Sequence, residues 1–147
     1  MEENIVRTDI PYTYEVMMED LINLRKRFDF LSWRYYGRSV MGKQIPYIRI
    51  GNGTRQVFYS ASIHANEWIN SVVLMKFIED FSIAYENNLD IEGYNAREIF
   101  KNASIFIAPM TNPDGVNLVL GNINQNSVFY LTPFVVHFVI FMIYQVI

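Results

Sequence analysis

The chain has 147 residues, no cysteine and a formal net charge of -3. This length suits one domain with a hydrophobic core, and the lack of cysteine excludes disulfides, thiolate nucleophiles and cysteine-based zinc sites. No Lys/Arg cluster marks a nucleic-acid surface, so we expect no nucleic-acid partner. The acidic start is followed by no apolar run, so we expect no signal peptide and a cytoplasmic or membrane-associated location.

The first part of the chain predicts an amphipathic helix followed by a hairpin. Apolar residues recur at alternating steps of four and three over residues 14–31, with Thr13 as the predicted N-cap, which favours a helix with one buried face. Residues 33–39 and 44–50 are rich in aromatic and β-branched side chains, with a short stretch between them that can turn. This pattern favours a β-hairpin. A Gly-Asn-Gly sequence at residues 51–53 predicts a second turn.

The next part of the chain alternates strand and helix. Residues 56–62 predict a buried strand, and a second helix capped by Asn70 or Ser71 follows. Residues 104–110 predict another apolar strand, which ends at an Asn-Pro-Asp-Gly turn over residues 112–115. A strand–helix–strand order implies a parallel pair joined by a right-handed crossover. With the initial hairpin, this predicts an α/β fold with a mixed parallel and antiparallel sheet flanked by helices.

The composition changes abruptly late in the chain, since residues 128–147 contain no charged side chain. We therefore divide the chain into a partial domain over residues 1–127 and an apolar tail over residues 128–147. The tail is about as long as a bilayer-spanning helix, ~20 residues, although Pro133, His137 and Gln145 interrupt it. Three interpretations stay open: a membrane anchor, a native core segment, or a frameshifted or truncated reading unrelated to the parent gene. We favour the last.

A candidate metal-binding pair follows the strand predicted at residues 56–62. His64 and Glu67 are three residues apart, which lets both side chains point at one place where a strand gives way to a helical turn. Both are zinc ligand types, and catalytic zinc sites use a His₂Glu set. Such a pair also arises by chance, and a histidine at a strand end is more often structural. The position beyond a strand's carboxyl end favours the functional interpretation.

Four segments resemble the carboxypeptidase A-like zinc peptidase family. His-Ala-Asn-Glu-Trp at residues 64–68 resembles its His-x-x-Glu-Trp segment, and Tyr-Thr-Tyr at residues 12–14 resembles its segment before a helix. Residues 36–45 resemble its G-x-S-x-x-G-x-x-I hairpin, and residues 111–116 resemble its Asn-Pro-Asp-Gly turn. The resemblance covers roughly residues 10–127. It implies the N-terminal part of a zinc carboxypeptidase-like fold, with the later part of the family's chain missing.

The resemblance implies that His64 and Glu67 bind one zinc ion, which polarises the scissile carbonyl and lowers the pKa of its bound water to ~7. A downstream glutamate of the family accepts that water's proton. Neither this general base nor the family's third ligand, a histidine, has a match here, so we assign no catalytic residue. His137 lies in a segment unlike the family's histidine segment and is interpreted as structural or as irrelevant to the site. We therefore expect this chain to be inactive as a peptidase.

The residue between the two ligands bears on the substrate. Digestive members of the family carry arginine there, where it helps to bind substrate, whereas this chain carries Asn66. In this respect the chain is more similar to the bacterial members that cleave γ-D-glutamyl bonds to diamino acids in peptidoglycan peptides. Asn66 is therefore a candidate substrate-binding residue, with neutral drift as the alternative. A rival function is a non-catalytic module that binds cell-wall peptides and is held at a membrane by residues 128–147.

Overall fold

The computed structural model describes residues 4–123 of the chain, which form helices and strands in a mixed order. The elements in chain order are α1 (Tyr14–Arg27), β1 (Ser32–Arg38), β2 (Gln44–Ile50), β3 (Arg55–Ser60), a 3-10 turn (Ala65–Glu67), α2 (Ile69–Asn87), β4 (Asp90–Ile91), β5 (Tyr94–Asn95), α3 (Ala96–Asn102), β6 (Ala103–Ala108) and α4 (Pro113–Val119).

The main sheet has four strands in the order β1-β2-β6-β3, and β4 pairs with β5 in a separate two-stranded ribbon. The β1–β2 and β2–β6 pairs are antiparallel, whereas β3 and β6 are parallel. The chain thus passes from β3 through α2 and α3 before it returns to the sheet as β6. This architecture confirms the predicted mixed sheet with flanking helices, including the hairpin and the parallel pair.

Helix α1 begins where the sequence predicts but ends earlier. The Thr13 side chain accepts a hydrogen bond from the backbone N–H of Val16, as expected of an N-cap. The helix ends at Arg27, four residues before the predicted end, because Phe28 adopts an extended conformation with φ −122° and ψ 96°. Phe28 and Leu31 lie in the loop that follows the helix, and both side chains are nevertheless buried. Their burial explains why the apolar spacing continues past the helix.

One face of the sheet packs against helices to form the core. Ile48 lies opposite Ile107 across the β2–β6 pair, and Ile50 lies opposite Ile105. All four side chains are buried, and burial of each aliphatic side chain of this size contributes about 1.5–3 kcal/mol. The α1 and α2 side chains in the same cluster include Met17, Leu21, Leu24, Met75, Ile78 and Phe81. The amphipathic patterns of the two helices thus define the side of the sheet that they cover.

The other face of the sheet is open in the described part of the chain. Tyr36, Tyr47, Phe58 and Phe106 line a depression of about 410 Å³ on this face. The strand predicted over residues 56–62 is present as β3, but its predicted burial is wrong, because all six residues of β3 are exposed and Phe58 is 60% exposed. Within residues 4–123, β3 has β6 as its one neighbour in the sheet, so apolar composition does not translate into burial there.

Two helix starts differ from the prediction. Helix α2 begins at Ile69 without a side-chain cap, so the predicted caps Asn70 and Ser71 lie inside its first turn. The Asn-Pro-Asp-Gly segment was predicted as a turn, but it begins a helix. Asn112 is the N-cap of this helix, and its side chain accepts a hydrogen bond from the backbone N–H of Gly115 at 2.9 Å. Proline tolerates the first helical position, where its missing N–H has no partner to lose.

The residues before α1 lie against α1 and α2 through a buried acidic side chain on each helix. The backbone N–H of Ile5 donates to Glu79. On α1, Asp20 accepts from the Arg7 guanidinium at 2.8 Å and from the Tyr12 hydroxyl at 2.9 Å. Burial, together with the charge of Asp20, raises the pKa of Tyr12. These contacts attach residues 5–12 to the helical layer.

The apolar tail at residues 128–147, with His137, lies outside the described residues. Within residues 4–123, no helix is both long and apolar enough to cross a bilayer. The three interpretations of the tail, and the rival function that depends on it, stay predictions.

Candidate metal site

The structure brings together the two residues predicted as ligands. The imidazole Nδ1 of His64 lies 3.2 Å from a carboxylate oxygen of Glu67, and the side chains are 57% and 47% exposed. Two atoms that each bind one zinc ion at about 2.1 Å, at a tetrahedral angle, are about 3.4 Å apart. The pair therefore fits a shared ion in donor type, spacing and access to solvent. The same spacing suits a hydrogen bond when Nδ1 carries a proton.

The convergence follows from the backbone between the two residues. His64 is extended, with φ −87° and ψ 135°, and residues 65–67 form one 3-10 turn. The backbone N–H of Glu67 donates to the carbonyl of His64 at 3.1 Å, which closes the turn. A change from extended chain to tight turn thus places both side chains on one side, as the sequence spacing predicts.

A second loop holds the segment just before His64. Past the ends of β3 and β6, the backbone N–H of Thr111 donates to the carbonyl of Ala61 at 3.0 Å, and that of Asn112 donates to the carbonyl of Ser62 at 3.1 Å. The Asn112 side-chain amide also donates to the carbonyl of Ile63 at 3.2 Å. The backbone approach to His64 is therefore fixed by residues almost fifty positions later in the chain.

Two buried serines lie behind the pair. The Ser62 hydroxyl is 3.1 Å from the carbonyl oxygen of Glu67 and 2.6 Å from the Ser71 hydroxyl. Because a carbonyl oxygen can only accept, Ser62 donates to Glu67 and the Ser71 hydroxyl donates to Ser62. Ser62 has a left-handed backbone, with φ 52°. The sequence carries no signal for either role, since serine is not a residue typical of that conformation.

The β1–β2 turn is also attached to this end of the sheet. Asp114 is fully buried and accepts from the Ser39 hydroxyl at 2.9 Å and from the backbone N–H of Met41 at 2.8 Å. These contacts give residues 112–115 a structural role at the end of the sheet that carries His64. Their part in supporting the backbone before His64 was not predicted.

The ligand set is incomplete in the described part of the chain. Within residues 4–123, no three His, Cys, Asp or Glu side chains lie close enough to hold a metal ion. The chain has two histidines in all, and the second, His137, lies outside the described residues. Asn66 is exposed between the two ligands in sequence. The residues present thus fit two of the three protein ligands of a catalytic zinc site.

A converging His-x-x-Glu pair beyond the carboxyl end of a parallel strand is an arrangement typical of metal-dependent hydrolases built on an α/β sheet. The zinc carboxypeptidase family model matches residues 17–127. The chain therefore belongs to the zinc carboxypeptidase family, as the motifs predict.

Similar proteins agree with this assignment. The chain is 40% identical over 116 residues to γ-D-glutamyl-L-diamino acid endopeptidase 1 of Lysinibacillus sphaericus, a match that covers 79% of this chain and 29% of that protein. It is 34% identical over 84 residues to metallocarboxypeptidase A of Trichophyton rubrum, covering 54% of this chain and 19% of that one. The chain thus spans less than a third of the length of either relative.

Solved structures support the fold. The crystal structure of carboxypeptidase A from Helicoverpa armigera matches with a TM-score of 0.64 at 22% identity, over 82% of this chain and 30% of that one. Bovine thrombin-activatable fibrinolysis inhibitor, in complex with tick carboxypeptidase inhibitor, matches with a TM-score of 0.63 at 16% identity, over 76% and 34%. At these identities the likeness concerns the fold, and it confirms the carboxypeptidase-like sheet.

Proposed function

We propose that this chain supplies two zinc ligands, His64 and Glu67, to a hydrolase that cleaves peptide or γ-D-glutamyl bonds in peptidoglycan-derived peptides. The observation that carries the proposal is the 3.2 Å approach of His64 Nδ1 to Glu67 at a strand end, in a member of the zinc carboxypeptidase family. The substrate class rests on the name of the Lysinibacillus relative and on the amide at Asn66.

The residues of this chain would contribute binding and orientation. When bound, zinc supplies a polarised carbonyl and a bound water whose pKa is lowered to ~7. His64 would offer a neutral imidazole nitrogen and Glu67 a negative carboxylate that offsets part of the metal's charge. Asn66 can donate or accept single hydrogen bonds but cannot form the bidentate ion pair that arginine makes with a substrate carboxylate. This difference favours a substrate that is not recognised by a terminal carboxylate in that way.

Zinc titration of the full chain tests the ligand pair. We expect the imidazole NMR signals of His64 to shift with added Zn²⁺. In Glu67→Ala the zinc dissociation constant should rise at least tenfold, because removing a direct ligand lowers metal affinity at least as much as removing a residue that supports a ligand. His137→Ala is the matched control and should leave the His64 shift unchanged. A dissociation constant that stays at the wild-type value in Glu67→Ala would refute the pair.

We also propose that the 147-residue polypeptide alone has no peptidase activity, because no three His, Cys, Asp or Glu side chains in residues 4–123 lie close enough to hold a metal ion and the motifs contain no match to the family's general base. With Zn²⁺ and a γ-D-glutamyl-diaminopimelate peptide, the expected rate equals that of the zinc-free control. The Lysinibacillus relative serves as positive control. Zinc-dependent cleavage that disappears in Glu67→Ala would contradict this prediction.

A further inference from the structure

We propose that Ser62 is a positioning residue for the metal-binding pair, acting through its left-handed backbone and its buried hydroxyl. The inference rests on the proposed role of His64 and Glu67 as ligands. Ser62 touches neither the imidazole nor the carboxylate in the contacts described above. It holds the backbone from which both side chains project.

The backbone of Ser62 is in a conformation that serine adopts at a cost. Its φ of 52° lies in the left-handed region, where a side chain's Cβ crowds the following carbonyl. Such strain persists where surrounding contacts over-determine it, and it concentrates at functional sites. Here the compensating contacts are the hydrogen bond from Asn112 N–H to the Ser62 carbonyl and those of the hydroxyl.

The hydroxyl bridges the two ends of the turn that carries the pair. It joins the residue two positions before His64 to the carbonyl of Glu67, and Ser71 on α2 donates to it in turn. Ser62 and Ser71 are both buried, so these bonds form away from water, where losing a partner is costly. The chain from Ser62 to Glu67 is therefore closed into a ring whose position is set by α2.

The ring matters because the side chains of His64 and Glu67 are half exposed, so their positions depend on the backbone that carries them. His64 and Glu67 converge only while the backbone at both ends of the turn keeps its present spacing. A support behind a metal ligand commonly tunes metal affinity. Removing the Ser62 hydroxyl should therefore weaken zinc binding more than removing the hydroxyl of an equally buried serine elsewhere in the protein.

The matched control is Ser82 on α2, which is also buried and donates its hydroxyl to a backbone carbonyl, that of Ile78, at 2.7 Å. Ser62→Ala and Ser82→Ala each remove one buried hydroxyl. Zn²⁺ binding to the full-length protein is measured from the His64 imidazole NMR signals. We expect Ser62→Ala to raise the Zn²⁺ dissociation constant about tenfold. Ser82→Ala should change it less than twofold. Equal changes in the two variants would overturn the proposal.

A metal-free measurement separates this inference from the proposed function. The backbone N–H of Glu67 donates to His64 within the turn, so its hydrogen exchange should accelerate about tenfold in Ser62→Ala and stay unchanged in Ser82→Ala. Unchanged exchange in Ser62→Ala would overturn the positioning role whether or not zinc binds. Faster exchange in a protein whose wild type shows no zinc response would refute the ligand pair instead.

Two further variants cover a failure to fold and divide backbone from hydroxyl. Ser71→Ala removes the hydroxyl that donates to Ser62 while leaving residue 62 intact, and it should raise the zinc dissociation constant in the same direction by a smaller factor. Ser62→Gly removes the hydroxyl but relieves the backbone strain. It should resist urea better than Ser62→Ala. A zinc affinity restored to the wild-type value in Ser62→Gly would contradict the role of the hydroxyl.

Discussion

Replacing Gly53 with alanine is expected to lower the free energy of unfolding by about 3 kcal/mol. A Cβ at this position would lie 1.9 Å from the carbonyl carbon of Asn102 and 2.2 Å from the nitrogen of Ala103. Both are backbone atoms, which cannot rotate away as a side chain can. The approach is held from both sides, because Gly53 N–H donates to Ala103 and the Ser104 hydroxyl donates to the Gly53 carbonyl. The methyl group must therefore displace the start of β6.

Gly37→Ala is the matched control for this prediction. Gly37 has no atom within 4 Å of its would-be Cβ, and neither Gly37 nor Gly53 has a positive φ. The control should therefore be neutral or stabilising by about 0.4–1 kcal/mol, since alanine reduces the entropy of the unfolded chain. Urea denaturation followed by tryptophan fluorescence measures both variants. Similar midpoints for the two variants would show that the close approach at Gly53 is wrong.

Asp20→Ala is expected to cost about 3 kcal/mol, because it removes one partner of a buried charged network. Asp20 is 1% exposed and accepts from the Tyr12 hydroxyl, the Arg7 guanidinium and the Arg7 backbone N–H. The Arg7 side chain is partly exposed and can be hydrated when Asp20 is absent. The buried Tyr12 hydroxyl cannot, so its lost acceptor carries much of the cost.

Two variants frame this result in the same urea experiment. Asp20→Asn keeps one acceptor oxygen for Tyr12 and should lose clearly less stability than Asp20→Ala. Asp29→Ala removes a fully exposed carboxylate paired with Arg25 four residues earlier, and exposed pairs of this kind contribute little to stability. If Asp20→Ala were as mild as Asp29→Ala, the residues before α1 would not be held by this network.

The elements that sequence predicted best are those in which periodicity and burial coincide. Helix α1 and strand β2 have apolar side chains that are buried in the core, so their spacing indicates both type and orientation. Strand β1 was predicted from its composition, although six of its seven residues are exposed. Strand β3 shows the limit of this reasoning. The apolar Val-Phe-Tyr run of β3 would be buried only if another element covered it. Amino-acid composition does not show which elements lie beside or over a strand. The end of α1 was missed for a related reason, since Phe28 is buried from a loop.

The convergence of His64 and Glu67 could be predicted from the sequence, whereas the contacts that support their backbone could not. The spacing of His64 and Glu67 follows from local geometry, which a short motif preserves. The supporting contacts join residues far apart in sequence, such as Asn112 with Ile63, or depend on an unfavourable backbone at Ser62. Neither feature has a local pattern. Long-range hydrogen bonds and compensated strain become visible only when the fold places the two loops side by side.

The insertion of β6 between β2 and β3 couples the ligand pair to a distant closure of the chain. The β1–β2 hairpin pairs neighbouring segments, whereas β3 pairs with a strand that begins more than forty residues later in the chain. Closing such a long loop costs conformational entropy before the strand pair forms its stabilising contacts. A local opening that released β6 would leave the hairpin intact but separate Thr111 and Asn112 from the segment before His64. The arrangement of His64 and Glu67 can therefore be no more stable against local unfolding than the parallel β3–β6 pair, even if the hydrogen bonds of the turn itself are strong.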